Sequence, residues 1–186
     1  TEPKDMYLSR VAAINGGCVQ GTPAFNVNRL CGSGLQAIVS AAQVIQLGDA
    51  DIAIGAGAEN MSRAPYASLA TRFGARMGDT KMVDMMVGAL HDPFHTIHMG
   101  VTAENIAAKW GISRDEQDQL AVESHRRAQK ATEAGYFKEQ IVPVMLKSKK
   151  GEVAYNTDEH FRTDATLEDM AKLKPVFVKE NGTVTA

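Results

Sequence analysis

The stretch AFNVNRLCGSGLQAIVSAAQVIQLGDADIAIGAGAE, residues 24–59, decides the fold. Its first four residues, Ala24 to Val27, suit a strand. Gly32 and Gly34 then flank a serine, and apolar residues recur at helical spacing through Leu35, Ile38, Val39, Ala42 and Ile45. Gly48 stands where the glycine that follows a helix is expected. After GDAD comes IAIGAGAE, a short apolar run bounded by small residues, which predicts a strand covered on both faces. Strand, helix and buried strand form a βαβ unit, for which a right-handed crossover is the rule. The fold class that follows is α/β.

On the N-terminal side, the first twenty or so residues offer at most one helix before Thr22. The core therefore has two well-marked strands, fewer than the roughly 4 to 6 of an ordinary sheet. On the C-terminal side the character changes at Ser62, where a Met-, Arg- and Gly-rich run begins. A domain boundary is placed there: residues 1–61 read as a partial core, and residues 62–186 as a mostly helical insert that leads back to it. Within the insert a short helix is predicted in the interval Asp79 to Leu90, and HDPFHTIHMG reads as a loop interrupted by Pro93. A helix capped by Thr102 should reach Lys109. Ser113 and Glu116 form a capping box for a longer helix that ends at Gly135. QIVPVML is strand-like, KSKKGE a basic turn, and Thr166 starts a last short helix that must stop before Pro175.

Composition restricts what such a chain does. Of the 186 residues 44% are hydrophobic, and 20 Lys and Arg against 22 Asp and Glu leave a net charge of −2, so no long-range field favours nucleic acid or an anionic membrane. An anionic ligand must be held by a local cluster of bases. No apolar run approaches the roughly 18 residues that span a bilayer, and TEPKDMYLSR has neither the basic flank nor the apolar centre of a signal peptide. A cytoplasmic location is the expectation. Two cysteines, Cys18 and Cys31, are too few for a disulfide framework and are expected as thiols, a Cys18–Cys31 disulfide being the alternative.

Cys31 carries the chemical interest. A residue at a sharp strand-to-helix turn beside glycines has its side chain pushed outward, as the nucleophile elbow of hydrolases does for serine. The helix that starts just after it places Cys31 at the positive end of a helix dipole, which favours negative charge on sulfur. Its own N–H can also face an acyl oxyanion. The spacing alone leaves open the other reading, a buried structural cysteine.

Several motifs then coincide. NVNRLCGSGLQAIVSAAQ, GDADIAIGAGAENMSRAPY, HMGVTAEN, SRDEQDQLAVESHRRA and NGTVTA closely resemble the thiolases, in particular bacterial acetyl-CoA acetyltransferases and β-ketothiolases of the biosynthetic type. The resemblance covers essentially the whole chain and keeps the family's motif order. It implies the layered α-β-α thiolase fold and an acyltransferase that condenses two acetyl-CoA, or acetyl-CoA and a short acyl-CoA, to a 3-ketoacyl-CoA, with thiolysis as the reverse. Cys31 matches the family's acyl-accepting nucleophile, and an acyl-cysteine is a thioester of energy similar to the acyl-CoA that forms it.

Residues of the insert match the family's coenzyme A contacts. His98 and Met99 resemble those lining the pantetheine and thioester end, with Leu90 nearby; His125, Arg162 and Phe177 match positions bordering the nucleotide. Ala186 matches the start of the segment that passes along the pantetheine. The resemblance implies coenzyme A and acetyl-CoA as substrates and no permanently bound cofactor. It also implies a homotetramer, in which RFGARMGDTKMVDMM resembles the loop joining two dimers; Met77, Met82, Met85, Met86 and Met99 otherwise read as adaptable packing residues. Likeness to polyester-forming ketothiolases points to short acyl chains.

The family's Gly-His-Pro, Cys-x-Gly-Gly-Gly and Asn-Glu-x-Phe motifs, which supply its base, second cysteine and oxyanion asparagine, do not occur in these 186 residues. The chain therefore reads as an internal piece of a thiolase, inactive by itself. Two other classes compete: the ketoacyl synthases, which share the fold and a cysteine at the same turn but lack the long insert, and a non-catalytic acyl-CoA or lipid-binding relative, which would not need a thiol at the elbow. His91, His95 and His98 are spaced like metal ligands on a helix, yet Pro93 breaks that helix and no metal is expected. Lys147, Lys149 and Lys150, and Arg126, Arg127 and Lys130, read as solvated polar surface.

Overall fold

The computed structural model describes residues 3–149 and 151–185. Two units divide between Thr96 and Ile97. In the first, a 3-10 turn at Pro3–Tyr7 leads into helix α1, Leu8–Asn15. Arg10 donates from its guanidinium to the carbonyls of Thr22 and Gln20, while the Asn26 side chain accepts from the Ser9 N–H at 3.1 Å and donates to the Asp5 carbonyl at 2.8 Å. These bonds fasten residues 20–27 to α1. α1 itself ends in a Schellman motif in which Gly17, at φ +91°, gives its N–H to Ile14 and Cys18 gives its N–H to Ala13 at 2.9 Å. Cys18 is thus half-buried and backbone-bound at a helix end.

Helix α2, Ser33–Gln46, fills the predicted position, and Gly48 at φ +78° stops it with the same motif. The two strands expected on either side of it do not form ladders. A β-ladder needs a second strand about 4.8 Å away, and among the described residues neither 24–27 nor 52–59 is hydrogen-bonded to one. The IAIGAGAE run instead lies against α2: a methyl on Gly55 would stand 2.8 Å from the Ile38 backbone, and one on Gly57 3.5 Å from the Cα of Gly34. Its small residues permit that close backbone approach, whereas Ile52 and Ile54 remain over 80% exposed (84% and 83%). The unit closes with a two-stranded ribbon, β1 at Tyr66–Ala67 and β2 at Val83–Asp84. Helix α3, Met85–Ala89, begins later than Asp79 because the Asp84 carboxylate accepts from the N–H groups of Met86 and Val87 at 2.9 and 3.2 Å.

The second unit holds every buried residue of those described. Helix α4, Met99–Trp110, starts three residues before the predicted Thr102, since the His98 side chain caps it. Histidine is not among the common cap residues, which hides this start from a sequence reading. Helix α5, Arg114–Glu133, carries the predicted capping box. β3, Val144–Ser148, and β4, Gly151–Tyr155, pair antiparallel from Val144↔Tyr155 to Ser148↔Gly151. β3 begins only after Pro143, which lacks an N–H for the ladder. Helix α6, Leu167–Lys172, is capped by Thr166 as expected. It is tied to α5 by Arg114, which grips the Asp118 carboxylate one turn along at 2.8 Å and donates to the Met170 and Leu173 carbonyls. The buried set is Gly100, Glu104 and Ala107 on one face of α4, and Asp118 on α5.

Candidate active site

Cys31 sits in a 3-10 turn, Leu30–Gly32, directly ahead of α2, and its side chain is exposed. The turn is strained at Leu30, whose φ of +48° is unfavourable for a branched side chain and costs of order 1–3 kcal/mol. A local network holds it there. The Leu30 N–H donates to the Asn28 side chain at 3.0 Å, the Ser33 hydroxyl donates to the Leu30 carbonyl at 2.8 Å and accepts from the Arg29 N–H at 2.9 Å. Arg29 in turn donates to Gln36 one turn into the helix, at 2.7 Å. The thiol is therefore presented by a fastened elbow at the N-terminus of a 14-residue helix. Both cysteines are free thiols.

In the second unit the imidazole of His98 lies on the ring of Phe177, with centroids 4.9 Å apart and planes 21° from parallel. His98 Nδ1 accepts from the Gly100 N–H at 3.0 Å, so the proton of the neutral ring belongs on Nε2. Gly100 is buried beneath the same ring, where a methyl would collide with Phe177. Further along α4 the Glu104 carboxylate, only 8% exposed, accepts from the N–H groups of Thr183 and Val184, each at 2.8 Å, and from the Thr183 hydroxyl at 3.0 Å. Burial by itself would push this carboxyl up, yet the hydrogen bonds from Val184 and Thr183 together outweigh it and hold the pKa below the ordinary 4.5.

That shift has a sign that can be measured. A depressed carboxylate stabilises the fold fully above the unfolded value and loses its contribution as pH falls through the folded one. Glu116, Glu123 and Asp169 shift the same way, so the readout is a difference between proteins. The stability gap between wild type and Glu104→Gln, measured by urea unfolding, should shrink as pH is lowered from about 6 to about 3. A gap independent of pH would contradict the ionised clamp.

His125 and Arg162 are brought together as well: the Arg162 N–H donates to His125 Nδ1 at 3.0 Å, and the Arg162 side chain is exposed. Arg126 and Arg127 both bind the Glu123 carboxylate at 2.6 Å and lower its pKa to about 2, so these two guanidiniums are already engaged on the polar face of α5. Leu90, half-buried, terminates α3, and Met99 begins α4 with 40% exposure. His91 bonds the Val87 carbonyl and His95 lies 3.8 Å from Asp92, so the three spaced imidazoles make separate local contacts. Lys150 and Ala186 lie outside the described residues.

The family model for the thiolase N-terminal domain matches residues 1–186. The chain belongs to the thiolase family. It is 70% identical over its full length to the beta-ketothiolase BktB of Cupriavidus necator, covering 47% of that protein. It is 49% identical over 180 residues to an acetyl-CoA acetyltransferase of the same organism, 96% of this chain and 46% of that one. Among solved structures, the acetyl-CoA acetyltransferase of Bacillus anthracis superposes with a TM-score of 0.92 at 42% identity, over 100% of this chain and 47% of that one. A human mitochondrial 3-ketoacyl-CoA thiolase solved in complex with CoA gives 0.90 at 41% identity, over 99% and 46%. The α/β thiolase fold is thereby shown, and the chain spans about half the length of the relatives it matches.

In this member of the thiolase family, four residues that a sequence reading passes over shape the candidate regions within the two units. Asn28 and Ser33 fasten the elbow, Gly100 gives Phe177 its seat, and Glu104 anchors Thr183 and Val184 beyond the turn that follows Phe177. Glu104 had one visible signal, a carboxylate in line with Gly100 and Ala107 at spacings of four and three on a helix. Asn28 and Ser33 had none, because short polar side chains next to a turn are common.

Proposed function

We propose that this chain supplies the nucleophile half of an acetyl-CoA C-acetyltransferase, a thiolase that joins two acetyl-CoA, or acetyl-CoA and a short acyl-CoA. The observation that carries the reading is the exposed Cys31 on its strained, hydrogen-bonded elbow at the start of α2. Its sulfur attacks the thioester carbonyl, a new C–S bond forms, and the CoA thiol leaves with a proton. The α-carbon of a second acetyl-CoA, having lost a proton to a base, then attacks the acyl-cysteine, and Cys31 departs as thiolate. Thiolysis runs the same steps backward. The base and the oxyanion donors belong to motifs that these residues do not include, so the 186 residues by themselves are predicted to show no turnover.

The cofactor reading is coenzyme A as substrate, with nothing held permanently. Residues 1–61 would form part of the catalytic core and residues 62–186 the portion covering the CoA. By motif position His98 and Met99, with Leu90 nearby, would line its pantetheine and thioester end, while Phe177, His125 and Arg162 would border the nucleotide; the exposed Arg162 beside His125 suits a phosphate, for which a guanidinium is the best-shaped partner. Phe73 and Met77, 87% and 97% exposed, support a homotetramer joined through this loop. Among the described residues no helix is long and apolar enough to cross a membrane; a cytoplasmic enzyme is proposed on the likeness to bacterial thiolases. The test is mass-spectrometric detection of acetoacetyl-CoA from acetyl-CoA with the complete gene product that carries these residues. Product formation is expected; binding of acetyl-CoA with no exchange or condensation would leave a non-catalytic acyl-CoA binder instead.

A further inference from the structure

We propose that Glu104, acting through Thr183, is a positioning residue for the His98–Phe177 wall; the proposal rests on the acyl-CoA reading above only for its kinetic consequence. The segment 176–184 folds back on itself, with the Val176 N–H donating to the Val184 carbonyl at 3.1 Å. One end of this loop carries Phe177 over His98 and Gly100 at the start of α4. The other end is fixed one turn further along the same helix face, where Glu104 takes the N–H groups of Thr183 and Val184. Thr183 is the joint. Its hydroxyl donates to Glu104 at 3.0 Å and accepts from the Gln117 side chain of α5 at 2.9 Å, so α4, α5 and the loop meet on one oxygen.

The turn between the two ends has no slack. Asn181 sits at φ +60°, and a methyl on Gly182 would overlap the Val178 carbonyl and stand 3.0 Å from a Glu104 oxygen. A tight turn transmits a displacement of Thr183 to Phe177 instead of absorbing it. A buried carboxylate accepting from two backbone N–H groups and a hydroxyl is a stiff anchor, since leaving any of those donors unmatched carries the full cost of its desolvation. Glu104 touches neither ring; it sets where Phe177 rests on the His98 imidazole, whose Nδ1 is already committed to Gly100.

The experiment uses the complete gene product carrying Thr183→Val, Thr183→Ser and Glu104→Gln, with two readouts. The first is the His98 Cε1–H resonance, which the stacked Phe177 ring displaces. The second is KM and kcat for acetyl-CoA. Thr183→Val and Glu104→Gln are expected to return the resonance toward its unstacked position and to raise KM about tenfold with kcat changed less than about twofold. Thr183→Ser, which keeps the hydroxyl and loses only the methyl, should restore both. If Thr183→Ser is as impaired as Thr183→Val, or if all three variants keep the stacked resonance, the proposal is overturned. Should the wild type show no acyl transfer, the acyl-CoA reading fails while the resonance still decides the positioning claim.

Discussion

Cys31→Ser is expected to lower acyl transfer by the complete gene product by about 10⁴-fold or more, with the fold unchanged. The side chain is exposed, so the oxygen fits where the sulfur was, and the hydrogen bonds that hold the elbow come from Asn28, Arg29 and Ser33 instead of Cys31. What is lost is chemistry. A serine hydroxyl is a far weaker nucleophile at neutral pH, and an acyl-serine would be an ester that the departing CoA thiolate could not readily regain. The paired control is Cys18→Ser, expected within about twofold of wild type, because Cys18 contributes its backbone N–H to the end of α1 and no reacting atom. Steady-state rates of acetyl-CoA condensation and thermal unfolding of both variants check this. Equal losses in the two would mean that the elbow cysteine has no special role.

Gly100→Ala should be strongly destabilising to the second unit. The added carbon would overlap the Phe177 ring, and the ring cannot retreat without leaving His98. Overpacking of this kind costs about 1–3 kcal/mol, read as a fall of several degrees in the unfolding midpoint. The mechanism also predicts a coupling. Phe177→Leu removes the obstruction, so the double variant should be more stable than the sum of the two single changes by about 1 kcal/mol. Additive losses would show that the glycine is needed for some other reason.

Much of the architecture was legible because it rests on local, residue-level rules. Helix α2 and its stop at Gly48, the Ser113–Glu116 capping box, the Thr166 cap and the loop around Pro93 all follow from spacing and cap chemistry. The strand readings at 24–27 and 52–59 did not become ladders, since pairing depends on a neighbouring strand and no sequence period encodes which one. The exposure of Cys31 could not be separated from burial by spacing alone; it took the structure, with its strained Leu30 and the three hydrogen bonds of the turn, to show the thiol exposed. The pairing of His98 with Phe177, 79 positions apart by numbering, and the anchoring of Thr183 by Glu104 across the same interval were invisible for the same reason. Long-range contacts through side chains leave no periodic trace.

Whether Cys31 is the acyl acceptor is decided by acid-quench trapping. The complete gene product is mixed with isotopically labelled acetyl-CoA, stopped in acid within the first turnover, digested and mapped by mass spectrometry. The account predicts a labelled acetyl group on the peptide containing Cys31, absent from the peptide containing Cys18 and chased off by excess free CoA. Label on Cys18, or none on Cys31 in a sample that is producing acetoacetyl-CoA, would contradict it.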